Sequence, residues 1–462
     1  MAGGRKSKET KKELTPEEQL ERALVPVGEQ PYKIPRNWCW TRLGSITEVV
    51  GGGTPSSKVE EYYKNGNIPW ISPGDLSGYN DIYISRGAKN ITKRGLEKSS
   101  AQLMPSGTVC LSSRAPIGYV VIAKNELCTN QGFKSFLPAP CYIPEYLYWY
   151  LKGNKELLES YASGTTFLEL SGSKASLVEF PLAPLAEQRR IVDHIESLFV
   201  RLDEAREKAQ AVVDGFELRK SAILHKAFTG ELTERWRREH GITLKKWSKK
   251  KLKDCGDWFG GGTPSMAHPE YWNGGNLLWV TSKDMKFDVI EDTLMHTNML
   301  GVNNSSANYI KKPSVLFVMR SGILRRTLPI AMVKVPFTVN QDLKAVSPTV
   351  DLNLEYLFWA CKSSEKIIRN TCMKNGTTVE SINAKALMEF EIPIVPQEEQ
   401  IEIVNCIVSI LEKEQQVKEV AETVLDQIET MKKAILARAF RGELGTNDPA
   451  EESAVEMLKA IL

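Results

Sequence analysis

The stretches KSAILHKAFTGEL (Lys220–Leu232) and KKAILARAFRGEL (Lys432–Leu444) are identical at nine of thirteen positions. Agreement that dense between distant parts of one chain marks an internal duplication. Working outward, Trp38, Gly51–Ser56 and Trp70 recur 209 residues later as Trp247, Gly260–Ser265 and Trp279. Asn130-Gln131 recurs at a spacing of 210 as Asn340-Gln341, and Pro181, Pro184 and Gln188 recur at 212 as Pro393, Pro396 and Gln400. The slow drift in spacing is that of small loop insertions. A period near 210 is far longer than a solenoid repeat, so each copy is expected to be a complete domain with its linker.

Each copy has two parts. The first mixes short β-branched runs (Thr108–Leu111, Tyr119–Ile122; Ser314–Val318, Ile330–Val333) with Gly, Pro, Asn and Ser turns and an aromatic helical stretch (Tyr146–Leu151; Tyr356–Ala360), which reads as α+β. The second opens on Pro184 or Pro396 and runs without another proline to Gly230 or Gly442, where C-terminal caps belong. Ile191, Ile195, Leu198, Leu202, Ala205, Ala209, Val212, Phe216, Arg219 and Ile223 alternate at four and three residues, with Ala227 four further on, and Ile403, Ile407, Ile410, Glu414, Val417, Ala421, Val424, Ile428, Met431, Ile435 and Ala439 repeat the pattern. Sustained heptads argue for a coiled coil, and a seam from Ile191 to Ala227 would be about 54 Å long at the helical rise. Each seam has one charged intruder, Arg219 late in the first and Glu414 early in the second. Only antiparallel pairing would bring them together, with an Arg219–Glu414 contact fixing the register and Leu202 layered on Met431. The alternative is two separate stems, each reaching into solvent.

The expected organisation is therefore a tail or helix over 1–30, an α+β domain over 31–183, a helix over 184–232, a linker over 233–246, a second α+β domain over 247–395, a second helix over 396–444 and a tail helix over 445–462. The 462 residues, 42% hydrophobic and 25% charged, have ordinary globular composition. No apolar run approaches the ~20 residues of a membrane span, and the charged start MAGGRKSKETKKELTPEEQ lacks the apolar core of a secretory signal. A cytoplasmic chain with no membrane partner is expected. The eight cysteines form no C-x-x-C pair and the five histidines stand apart, so the thiols read as reduced and buried, with no metal site.

Net charge is only +3, but it is unevenly placed. Residues 31–183 hold 16 Lys/Arg against 12 Asp/Glu and residues 242–395 hold 20 against 14, whereas 396–462 hold 7 against 14. Two basic domains suit a bipartite polyanion. Basic candidates for contacting it are Lys89, Lys93, Arg94, Arg114, Lys283, Arg320, Arg325 and Arg326, of which Arg114 and Arg320 occupy equivalent strand ends. The loops GGGTPSS and GGGTPSM match neither a dinucleotide fingerprint nor a P-loop. They read first as structural turns, with Thr54, Ser56, Thr263 and Ser265 as candidates to bond a phosphate. Thr165 and Thr377, in the shared Gly-Thr-Thr turns, are candidates on the same ground. Trp38, Trp70, Trp247 and Trp279 read as core anchors. No methyltransferase N-P-P-aromatic stretch, nucleotide motor, G-x-S-x-G or zinc signature is found, so the domains read as recognition modules.

The two GGGTPS loops, PLAPLAEQRRIV and IPIVPQEEQIEIV opening the helices, AFTGEL and AFRGEL closing them, LTPEEQLERALVP near the start and TNDPAEESAVEMLKAIL at the end together resemble the specificity subunit of Type I restriction-modification systems. The resemblance implies an α+β fold of two target-recognition domains separated by two long antiparallel coiled-coil helices with pseudo-twofold symmetry, and a non-catalytic role. Each domain would read half of a split, asymmetric sequence in double-stranded DNA, with the helices as a ruler between half-sites ~34 Å, about one turn, apart. It also implies docking of two methyltransferase subunits and, in the full complex, restriction subunits. No cofactor is expected in this chain; S-adenosylmethionine, ATP and Mg would belong to those partners. The amino-terminal segment would lie near the carboxy-terminal tail. Other readings are a stand-alone nuclease, for which no carboxylate cluster can be placed, and a coiled-coil scaffold whose domains bind DNA without sequence preference.

Overall fold

In the computed structural model, residues 15–114, 116–164, 168–374 and 379–462 are described. They divide into two compact units, one made of 1–208 with 424–462 and the other of 209–423. Each unit thus contains one α+β domain, the opening part of one long helix and the closing part of the other.

The domains repeat one sheet plan. In the first unit the strands run in the order Val49–Gly51, Phe133–Phe136, Val109–Ser113, Ile117–Ala123 and Tyr83–Ile84. In the second unit Gly256–Gly260, Leu343–Pro348, Ser314–Val318 and Ile330–Val333 follow the same order, and an isolated Val289–Met332 bridge stands where the fifth strand would be. A three-stranded sheet accompanies each: Lys89–Ile91, Ile68–Ile71 and Cys128–Thr129 in one, His296–Thr297, Leu277–Val280 and Phe337–Val339 in the other. Strands buried on both faces explain why Val109–Leu111 and Val315–Val318 read as continuous apolar runs rather than as alternating ones.

The aromatic helices Pro144–Gly153 and Leu354–Ser363 are buried around most of their circumference, because the sheet takes one face and a long helix the other. Phe440, which closes the second long helix, sits with its ring 5.1 Å from both Tyr146 and Tyr150 of the first domain. Its repeat partner Phe228, which closes the first long helix, packs at 5.4 Å on Tyr356 of the second domain. The closing motifs are thus exchanged between copies, and their near identity follows from their docking into equivalent aromatic pockets. A fully buried aromatic such as Phe440 is worth about 3–5 kcal/mol on truncation, and the half-buried Phe228 less.

The heptad-bearing segments pair antiparallel within each unit. Lys432 reaches Asp203 at 2.5 Å and Arg206 reaches Glu429 at 2.8 Å in the first unit; Lys418 lies 5.1 Å from the Phe216 ring and Arg219 contacts Glu414 in the second. The helix Gln397–Ala439 is continuous, while the first runs as Leu185–Asp214 and Phe216–Thr229 across Gly215, whose amide still bonds Ala211 at 3.0 Å. The seam departs from the expected pattern at two places. Val417 and Met431 are 51% and 48% exposed, so the expected Leu202–Met431 layer does not fill the seam. The adjacent lysines take those slots, each largely buried with its ammonium over an aromatic ring, Lys418 over Phe216 and Lys432 over Phe199.

Two internal glutamates fix the domain-helix junctions. Trp38 Nε1 donates to Glu187 at 2.7 Å and Trp247 Nε1 donates to Glu399 at 3.0 Å, so both tryptophans are polar anchors as well as core residues. Beside them, Gln188 and Gln400 each accept one loop amide (Ile143, Asn353) and donate to two carbonyls. In the first unit the tail closes the junction: Asn447 donates to Glu187 at 2.7 Å, and Arg190 makes a two-pronged pair with Glu451 at 2.8 Å. In the second the linker does so, with Thr233 at 2.9 Å and Arg237 at 2.7 Å on Glu399. The helix Pro16–Ala23 also packs on Ala454–Lys459, which brings the two ends of the described chain together.

Candidate nucleic-acid interface

The repeated loops converge at one end of each domain. The glycine amides are consumed internally: Gly53 N–H bonds the Thr129 carbonyl at 2.9 Å and Gly262 N–H the Val339 carbonyl at 3.0 Å. Trp70 and Trp279 hold the Gly53 and Gly262 carbonyls from the other side, at 2.9 and 3.1 Å. A Cβ on Gly52 or Gly261 would overlap the backbone of Asn130 or Val339, which is why these positions are glycine. The structural-turn reading therefore accounts for the glycines, and no backbone cradle for phosphate is left open at Gly53 or Gly262.

The two threonine hydroxyls are also engaged. Thr54 donates to the side-chain carbonyl of Gln131, and Thr263 to that of Gln341 at 2.6 Å. Ser56 and Ser265 are exposed just beyond, the latter accepting the Ala267 amide at 3.3 Å. Asn130 and Asn340 tie these glutamines to the adjoining loop by bonding the Ile71 and Val280 carbonyls at 2.9 and 3.0 Å. That loop holds the turns Ser72–Asp75 and Thr281–Asp284, each locked by its aspartate, and Lys283 lies on the second of them.

Arg114 and Arg320 lie against this cluster with the same backbone geometry. Ser113 N–H meets the Gly132 carbonyl and Met319 N–H the Asp342 carbonyl, both at 2.7 Å. Leu170 then bonds Ser113 at 2.9 Å and Ile382 bonds Met319 at 2.8 Å. The side-chain partners differ. Arg114 Nη1 is 3.5 Å from Glu169, whereas Arg320 Nε is 2.7 Å from Asp342. Arg325 is held by Glu380 at 2.7 Å, and this guanidinium keeps the Glu380 carboxyl below the usual carboxylate range. Arg326 is exposed and makes no ion pair among the described residues. Lys134, half buried beside Arg114 and Glu169, has its ammonium pulled below the usual lysine range, chiefly by burial.

The remaining candidates stand apart. Lys89 lies on the strand Lys89–Ile91, opposite Trp70. Lys93 and Arg94 open the helix Lys93–Glu97, where Glu61 holds Arg94 at 2.7 Å. Thr165 and Thr377 lie outside the described residues. Sequence reasoning did not single out Gln131, Gln341, Lys134 or the carboxylates Glu169, Asp342 and Glu380; only the repeated Asn-Gln pair marked the glutamines.

The charge map also changes in detail. Six lysines within 245–253 account for the whole positive excess of 242–395. They surround the strand Ser248–Lys251, which pairs only with Glu391–Ile394 among the described residues. Its repeat partner Cys39–Arg42 is also bridged by Leu24 and is buried. Lysines on an uncovered edge strand prevent further pairing, so this run has a structural reason.

Seven of the eight thiols are buried and all are unpaired. Burial pushes Cys39 and Cys110 up to about 12, as expected of packing residues. The described residues hold no metal-ligand cluster and no helix long and apolar enough to cross a membrane.

The family model for the Type I restriction modification DNA specificity domain matches this chain twice, over 35–212 and 244–429. The chain belongs to this family. The specificity subunit of the type I restriction enzyme MjaIX of Methanocaldococcus jannaschii is 32% identical over 370 residues, covering 79% of this chain and 84% of the relative. The HsdS crystal structure from Thermoanaerobacter tengcongensis has the same fold, with a TM-score of 0.63 at 20% identity over 90% of this chain and all of that one. A chain from a structure of type I R-M complex assembly matches at a TM-score of 0.66, also at 20% identity, over 90% of this chain and all of that one. The match of the family model to both copies identifies the duplication as two specificity domains, each followed by its long helix.

Proposed function

We propose that this chain is the non-catalytic specificity subunit of a Type I restriction-modification complex, with each domain reading one half of an asymmetric bipartite site in duplex DNA. The supporting observation is the pair of loop clusters around Arg114 and Arg320. The backbone frame is common to both, but the carboxylates that hold its two arginines are unlike, as two unlike half-sites require. Arg326 and Lys283 supply positive charge at this end, and Arg114, Arg320 and Arg325 supply guanidinium donors held in place by carboxylates. The paired helices set the spacing between half-sites and dock two methyltransferase subunits, with restriction subunits in the full assembly. S-adenosylmethionine, ATP and Mg act in those partners, and the complex works in the cytoplasm.

Competition binding at fixed salt tests this reading. A specific duplex should outcompete random duplex by about 10³-fold or more. Equal affinity for all duplexes would instead support the scaffold reading, and cleavage of plasmid by the chain alone with magnesium would support a nuclease.

A further inference from the structure

We propose that Gln131 and Gln341 are base-reading residues, one in each domain, and that Asp342 is a positioning residue that makes Arg320 present a different guanidinium edge from Arg114. This rests on the DNA-recognition reading above and adds residues and a chemical rule to it.

Both glutamines are exposed, yet neither is a free surface side chain. In each the amide carbonyl accepts the hydroxyl of Thr54 or Thr263, on a loop held rigid by glycine packing and a tryptophan bond. In this contact the carbonyl faces the hydroxyl. This leaves the Nε2 hydrogens and one carbonyl lone pair facing outward, a donor beside an acceptor. This is the pattern that pairs with the N7 and N6 edge of adenine in the major groove. A glutamine ordered before binding loses less side-chain entropy when it engages a base. The repeat of this arrangement in both copies, on loops that share Gly-Gly-Gly-Thr-Pro-Ser and Asn-Gln, argues for a shared task.

The arginines beside them explain how one frame reads two sequences. Asp342 engages Nε of Arg320, which leaves the Nη1 and Nη2 donors free as a fork. At the equivalent position the first domain has Gly132, and Arg114 is instead approached at Nη1 by Glu169, which leaves Nε and Nη2. A guanidinium offers its donors in fixed directions, so the edge left free determines the approach to a guanine O6/N7 pair.

The test is selection from randomised duplexes by the full chain bound to its methyltransferase subunit. Gln341→Glu keeps an acceptor for Thr263 but removes the outward donors. It should lose roughly tenfold discrimination at one position of one half-site, and Gln131→Glu should do so in the other half. Asp342→Gly should shift preference in the Gln341 half, and Asp342→Asn, which still accepts from Nε, should restore it. Thr263→Val should weaken the same position as Gln341→Glu. If the wild type selects a bipartite site and both glutamate variants select it unchanged, the inference is overturned while the specificity reading stands. Enrichment of no sequence by the wild type would overturn both.

Discussion

The Arg219 guanidinium and the Glu414 carboxylate, each the one charged residue in its sequence heptad pattern, are joined by a 2.6 Å Nε–Oε2 contact. Arg219 also donates to the Val212 carbonyl at 2.9 Å, so both charges are satisfied within a partly buried layer. Arg219→Leu or Glu414→Leu alone strands one charge and should lower stability by about 1–3 kcal/mol, whereas the double leucine variant should be near neutral. A double-mutant cycle in urea checks this, with an expected coupling equal to the sum of the two single losses, about 2–6 kcal/mol.

The Glu399 junction is predicted to be more sensitive than its repeat partner. Glu399 is fully buried with Arg237, whose side chain is 5% exposed, while Glu187 is held by Trp38 and Asn447 without a buried arginine. Arg237→Ala leaves a buried carboxylate uncompensated and should cost about 3–5 kcal/mol. Asn447→Ala should cost about 1.5–3 kcal/mol, the value of a hydrogen bond to a charged group. Equilibrium unfolding of the two variants compares them directly.

Much of this architecture was legible in the sequence. The duplication and the seam arise from periodicity, and periodicity survives wherever one face is buried; the Arg219–Glu414 pairing followed from two breaks in it. Val417 and Met431 were misplaced because a heptad pattern counts apolar residues and does not register that a neighbouring lysine can bury its stem instead. The recognition loops were harder to read. The loops of Thr54 and Thr263 read first as turns, with the threonines as candidates to bond a phosphate, and the glutamines that accept from those hydroxyls lie 77 and 78 residues away. Glu169, Asp342 and Glu380 meet their arginines across separations of 22 to 55 residues, which no local pattern reveals.

Glu389 provides a pH-dependent signature. Hydrogen bonds from Lys251 and Lys253 pull its carboxyl down to about 2. Because the folded value is depressed, the stabilisation from these pairs is present above the ordinary glutamate range and is lost as pH falls from about 4.5 towards 2. Carboxyl-resolved NMR titration should give a midpoint near 2. In the Lys251→Ala, Lys253→Ala double variant the midpoint should return towards about 4.5.

Gly442 separates conformational from steric cost. Its φ is +72°, and a Cβ there would collide with the Pro35 ring, whereas Gly445 has a similar φ of +75° and open space around it. Gly445→Ala should cost about 1 kcal/mol for backbone conformation alone, and Gly442→Ala clearly more. Thermal denaturation of the two alanine variants measures the difference.

Independent reading by the two domains predicts that Arg114→Ala and Arg320→Ala each impair one half-site only, by about 1–3 kcal/mol of discrimination. Equal loss at both halves would show that the substitutions act through the fold. Binding to duplexes altered in one half at a time distinguishes these outcomes.

The central claim is that one polypeptide holds two unlike duplex readers in a duplicated frame. Base-resolution mapping of methyladenine in cells expressing this chain with its methyltransferase subunit tests it most directly. The account predicts a single asymmetric motif of two specified blocks separated by a fixed number of unspecified base pairs. Methylation at an undivided motif, or at adenines with no common sequence, would contradict it.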